Sequence, residues 1–94
     1  MEVINNEKKQ QFELEINEDK AVIDYDLVNG KIRLNYTEVP ESMKGKGIGS
    51  KLAEQTFALI ERMGKKVIPE CEFIQHWLEK NPDKKRLIAD MNKG

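Results

Sequence analysis

Residues able to do chemistry gather in one stretch, Met43-Lys44-Gly45-Lys46-Gly47-Ile48-Gly49-Ser50, which runs directly into a strongly periodic helix. Glycine lets successive N–H groups point into one concavity, and the first helical turn adds unpaired donors and a positive dipole end. The chemistry this predicts is phosphate binding, with Lys44, Lys46 and Lys51 supplying mobile positive charge. Two familiar phosphate motifs are excluded by counting. Gly-x-x-x-x-Gly-Lys needs a glycine where Ser50 stands, and Gly-x-Gly-x-x-Gly needs one at Ser50 or at Leu52. The plain alternative is a tight strand-to-helix turn, which seldom needs glycines at 45, 47 and 49 together.

A second candidate is Cys71, which ends a short strand and directly precedes a helix. The free N–H donors there make an electropositive setting for a thiol, countered by the carboxylates of Glu70 and Glu72 on either side. Its ordinary role would be that of a small buried hydrophobe. His76, the only histidine, stands beside Trp77 but off the apolar stripe of its helix, and reads as a surface residue.

The elements that must position these groups are legible in the period of the apolar residues. Met1 to about Gln10 is polar and reads as a frayed lead-in. Phe12, Leu14 and Ile16 alternate with Glu13 and Glu15, the period of a half-buried strand. A second strand covers Ala21 to Val28, with Ala21, Ile23, Tyr25 and Leu27 on one face. Asn29-Gly30 is a strong signal for a two-residue hairpin. That turn sets a register pairing Val28 with Lys31, Asp26 with Arg33, Tyr25 with Leu34 and Asp24 with Asn35, and it assigns Ile32, Leu34 and Tyr36 to the core. Strand alternation then puts Glu38 on the same face, so that either Glu38 marks the exit into a cleft or the strand carries a bulge. The strand ends near Pro40.

The helix after the loop is predicted from about Gly47 to Met63, with Ile48, Leu52, Ala53, Phe57, Ile60 and Met63 as its stripe, Leu59 widening it, and Gly64 as C-terminal cap. Lys65 to Glu70 is a short strand, expected parallel to the one before the helix. Glu72 to Lys80 is a second helix with Phe73, Ile74, Trp77 and Leu78 on one face, ended by Asn81-Pro82. The tail from Asp83 docks as a short helix or as an added edge strand. The fold class is therefore α/β (α+β): an antiparallel meander joined to a β–α–β unit. In open sheets of this kind ligands bind beyond the carboxyl ends of strands where connections diverge, a place lined here by Val39, the glycine loop and Glu70-Cys71.

Composition limits the alternatives. The 94 residues form one domain with one modest core. Sixteen basic and seventeen acidic residues give a formal net charge of −1, which offers no global attraction for nucleic acid or anionic membrane. The longest uninterrupted apolar run, Phe57 to Ile60, is far short of a membrane span, and the expected compartment is the cytoplasm. With a single cysteine there is no internal disulfide, and no Cys/His cluster suggests a metal.

Lys44, Gly47 and Gly49 fit Arg/Gln-x-x-Gly-x-Gly/Ala, with Lys44 at the first position, a pattern that resembles the pyrophosphate loop of the GNAT acetyltransferases. The run Tyr36 to Glu41, the loop, Ser50-Lys51-Leu52 and Val67 to Phe73 follow in the order and spacing of the compact single-domain GNAT-like N-acetyltransferases, and the resemblance spans Phe12 to about Pro82. It implies splayed parallel strands and acetyl-CoA as cofactor. The backbone of Thr37 to Val39 would pair with the pantetheine arm, and Lys44, Gly45, Lys46, Gly47, Ile48, Gly49 and Ser50 would hold the pyrophosphate.

The activity implied is acetyl transfer to a primary amine, the acceptor being a small molecule or a protein. By the same resemblance Glu38 stands where a carboxylate could take the proton from the amine, and Cys71, in Pro69-Glu70-Cys71-Glu72-Phe73, where a covalent acetyl-cysteine step is conceivable. Tyr36 replaces a histidine expected in the compact subgroup. Trp77 stands where larger members place a tyrosine acid, and the N-terminal helices that build their acceptor pocket have no counterpart. These departures support the alternative of a non-catalytic acyl-CoA-binding or protein-interaction module. The run Lys84-Lys85-Arg86 could touch the adenine-side phosphate if the tail folds back.

Overall fold

The computed structural model describes residues 2–89. Five strands form one mixed sheet in sequence order: β1 (Ile4–Asn6), β2 (Gln11–Ile16), β3 (Asp19–Val28), β4 (Lys31–Glu38) and β5 (Val67–Pro69). The first four pair antiparallel and β5 pairs parallel with β4. Helix α1 (Ile48–Arg62) connects β4 to β5, and α2 (Glu72–Lys80) follows β5. Of the tail, residues 83–89 are described and take the short-helix form, with a single bridge in place of an added edge strand; residues 90–94 lie outside the described residues. Pro82–Leu87 is a 3-10 helix, and Ile88 then bridges Val67 in parallel on the outer side of β5.

Both helices lie on the same face of the sheet. Phe12, Leu14, Ile23, Ile32 and Leu34 share one core with Leu52, Phe57 and Ile60 of α1 and Ile74, Trp77 and Leu78 of α2. The rings of Phe57 and Trp77 meet at 5.0 Å, which ties the helices together. Helix α1 ends in a Schellman motif: Gly64, at φ 71°, donates to Glu61 O, and Lys65 donates to Ile60 O.

Several expectations are corrected. Residues 4–6 are not a frayed lead-in but an edge strand, because Val3 buries its side chain and donates its N–H to Gln55 Oε1 of α1. Leu27 and Met63 are exposed. Phe73 is only partly covered, and Thr56 is fully buried in the stripe of α1.

The correction that matters most is in β4. Val28–Lys31, Asp26–Arg33 and Tyr25–Leu34 pair as expected, but Asp24 pairs with Tyr36, leaving Asn35 as an extra residue in a β-bulge. A bulge reverses the alternation beyond it. Ile32 and Leu34 face the helices, as does Thr37 after the bulge, whereas Tyr36 is turned out of the core and left about half exposed.

Candidate functional site

Strands β4 and β5 stay together only through Ile32–Val67, Arg33–Ile68 and Leu34–Pro69. There Leu34 O accepts both the Glu70 and the Cys71 N–H, closing the parallel ladder. Beyond it β5 turns into α2 while β4 runs on to Glu38, still paired on its other side with Val22. The strands part, and the opening leads to the glycine loop.

The loop begins with a 3-10 turn at Glu41–Met43 in which Met43 N–H donates to Pro40 O. Ser42 Oγ donates to Asp19, anchoring the turn to the start of β3. Gly45 and Gly47 then take the left-handed region at φ 78° and 71°, and a Cβ at either would meet nothing within 4 Å. No packing demands glycine at these positions. Their backbone conformation does, and it leaves open space above the loop.

Gly47 caps α1 without a side-chain hydrogen bond, and the first turn contains no acidic residue. The first bond to the cap is Lys51 N–H to Gly47 O, so the N–H groups of Ile48, Gly49 and Ser50 have no partner within the helix. A helix start left uncapped beside a hollow is a place for an anion. The hollow has a volume of about 270 Å³ and is lined by Val39, Met43, Lys44, Gly45, Gly47, Ile48, Gly49, Ser50 and Phe73.

Gly49 differs from the other two glycines. A Cβ there would lie 2.8 Å from Phe73 Cζ, so its missing side chain makes room for that ring, not for a ligand. Of the lysines, Lys44 reaches Glu41 at 3.2 Å, an exposed pair that competes weakly with any ligand. Lys46 lines a second hollow of about 210 Å³ on the other flank of the loop, beside Asn17, Asp19 and Ser42.

The remaining candidates lie along the parting strands. Thr37 is half-buried and its Oγ1 sits 3.2 Å from Cys71 Sγ. Cys71 stands at the N-cap position of α2 without a side-chain capping bond and is 5% exposed. Glu38 is exposed at the end of β4. Nearby, a hydrogen bond to Asp24, reinforced by the charges of Asp24 and Glu38, pushes the Tyr36 phenol above its ordinary value. On the same sheet Arg33 chelates Asp26 at 2.9 and 2.6 Å and Asn35 adds a third bond, which lowers the Asp26 carboxyl below its usual range.

Two further expectations are settled by position. The basic run lies far from the loop: Lys84 and Arg86 pair with Glu61, and Lys85 with Glu79. Glu61 is thirteen residues along α1 from Ile48, roughly 20 Å at the helical rise. Trp77 is 6% exposed and packs against Phe57 with the rings tilted by 36°. Among the described residues no three His, Cys, Asp or Glu converge as a metal site, and no helix is long and apolar enough to cross a membrane. Two site neighbours, Asp24 and Phe73, were not predicted. Asp24 reaches Tyr36 only because of the bulge, and Phe73 carried the signals of a core position and of the last residue in the Pro69-to-Phe73 run, not of a wall to the hollow.

An antiparallel meander passing into a β–α–β unit, its parallel strands splayed over a glycine loop, defines the GNAT-type fold. Residues 11–87 match the family described as GCN5-related N-acetyl-transferase, and the chain belongs to it. It is similar to protein NATD1 of Xenopus tropicalis, 32% identical over 83 residues, which cover 85% of this chain and 76% of that protein. Protein NATD1 of Danio rerio is 33% identical over 85 residues (87% and 77%), and that of Homo sapiens 31% over 83 residues (85% and 74%).

Proposed function

We propose that this protein is an acetyl-CoA-dependent N-acetyltransferase acting on a primary amine. The observation that carries the proposal is the hollow between the parted strands and the uncapped start of α1, floored by Gly45 and Gly47 in left-handed conformation with nothing above them. A pyrophosphate fits this chemistry: backbone N–H donors, a helix dipole and neighbouring lysines, without a carboxylate lining the hollow. Acetyl-CoA, when bound, supplies an acetyl group activated as a thioester.

In this reading Lys44, Gly45, Lys46, Gly47, Ile48, Gly49 and Ser50 hold the pyrophosphate, chiefly through backbone N–H groups. The backbone of Thr37 to Val39, which has no β5 partner, aligns the pantetheine arm, and an N–H near Val39 donates to the thioester carbonyl. Glu38, exposed at the end of β4, accepts the proton from the amine directly or through water. The Cys71 thiol is committed to Thr37 and almost covered, so service as acyl acceptor requires that contact to open. Acetyl-CoA would show the difference: a hydroxylamine-sensitive acetyl adduct, absent in Cys71→Ala, marks a covalent route, and its lasting absence leaves direct transfer from donor to amine.

The test is a panel of primary amines with acetyl-CoA, following release of free CoA thiol. Turnover that falls about a hundredfold in Glu38→Gln supports the proposal. Binding of acetyl-CoA without turnover of any amine favours the second reading, a non-catalytic acyl-CoA-binding module. That reading draws support from Trp77, whose indole has no acid to offer.

A further inference from the structure

Phe73 is a large apolar residue in the first turn of α2, yet it remains 38% exposed. Its ring is not loose at the surface. It is seated on the backbone of Gly49 in the first turn of α1, where any side chain would collide with Cζ. The starts of both helices thus meet across this one ring, and its free part lines the hollow opposite Gly45 and Gly47. The hollow consequently has two characters: N–H donors on the loop side, and an apolar wall of Val39 and Phe73.

We infer that Phe73 determines donor specificity, as the wall against which the aliphatic arm of a phosphate-bearing thioester lies, while the loop holds the phosphates. The inference rests on the donor site proposed above. It goes further in assigning to one side chain the discrimination between a pantetheine-bearing ligand and a bare nucleoside diphosphate. The physical basis is simple. A partly exposed ring loses water only when an apolar chain covers it, and ADP has no such chain.

The experiment compares acetyl-CoA with ADP by calorimetric titration and by competition, in the wild type, Phe73→Ala and Phe73→Leu. Circular dichroism and the thermal midpoint confirm that each variant is folded. The expected result is a loss of about tenfold or more in acetyl-CoA affinity for Phe73→Ala, partial recovery in Phe73→Leu, and unchanged competition by ADP. Phe73→Leu, which keeps an apolar side chain at the wall, serves with an intermediate selective loss if Phe73→Ala does not fold. Equal acetyl-CoA affinity in the wild type and Phe73→Ala would overturn the role of Phe73 and leave the donor site standing. A parallel loss for both ligands would also overturn it, because the ring would then merely support the loop. Failure of the wild type to bind acetyl-CoA would remove the donor site itself.

Discussion

Thr37 Oγ1 and Cys71 Sγ lie 3.2 Å apart, three residues beyond Leu34 and two beyond Pro69, the last pair of two strands that are otherwise separating. The contact links β4 to the start of α2 at the crotch of the gap, so the angle at which the strands part is fixed by side chains as well as by Leu34 O. Thr37→Val should remove the bond at nearly constant volume and lower stability by about 1 kcal/mol, measured by denaturant unfolding. The native thiol should react slowly with a disulfide reagent and become faster in Thr37→Val; equal rates would show that the contact does not restrain Cys71.

Gly47→Ala tests the loop. An L-residue at φ 71° is strained by roughly 1–2 kcal/mol, which is the expected loss of stability, and its methyl group enters the space above the loop. Affinity for acetyl-CoA should fall by at least tenfold while the circular dichroism spectrum is retained. Undiminished affinity would refute the assignment of Gly47 to the phosphate site.

Thr56 is fully buried in α1 and its Oγ1 has no hydrogen-bond partner among the described residues. Thr56→Val removes a desolvated hydroxyl and keeps the β-branched shape. The expected gain is about 1 kcal/mol in unfolding free energy, and a loss would mean that the hydroxyl is satisfied in solution.

Asp26 gives a pH dependence of defined sign. Its carboxyl is lowered mainly by the hydrogen bonds from Arg33 and then by that from Asn35. A group depressed in the folded state contributes stability above its unfolded value, and that contribution disappears as pH falls through the folded one. Asp26→Asn should therefore be less stable than the wild type near neutral pH, the two curves converging below the ordinary carboxylate range. Parallel curves would show that the Arg33 pair contributes nothing. Tyr36 behaves in the opposite sense: its phenol is raised, so its bond to Asp24 persists at neutral pH and is lost only as pH climbs past the ordinary tyrosine range.

Much of this architecture was legible because its signals are local. Asn29-Gly30 fixes the hairpin and hence three of the register pairs, Gly64 ends α1, and Asn81-Pro82 ends α2 at Lys80. The glycine loop announced itself because left-handed backbone restricts residue type. The bulge was legible only as one of two ways to place Glu38, because nothing local in the sequence marks Asn35 as the extra residue. That single residue accounts for the misplacement of Tyr36 and resolves the position of Glu38. The strand at Ile4–Asn6 was hidden because an edge strand of so few apolar residues is stabilised by its partners, Gln55 and β2, not by its own pattern. Gly49 was read with the loop glycines, although what demands its missing side chain is a ring twenty-four positions later, at Phe73.

Whether the hollow over Gly45 and Gly47 binds the acyl donor is decided by calorimetric titration of the purified protein with acetyl-CoA and with CoA. The account predicts saturable one-to-one binding with dissociation constants on the order of micromolar, weakened in Gly47→Ala. Absence of binding by either ligand would contradict it, leaving the glycine loop as a structural turn and the acetyltransferase proposal without its donor.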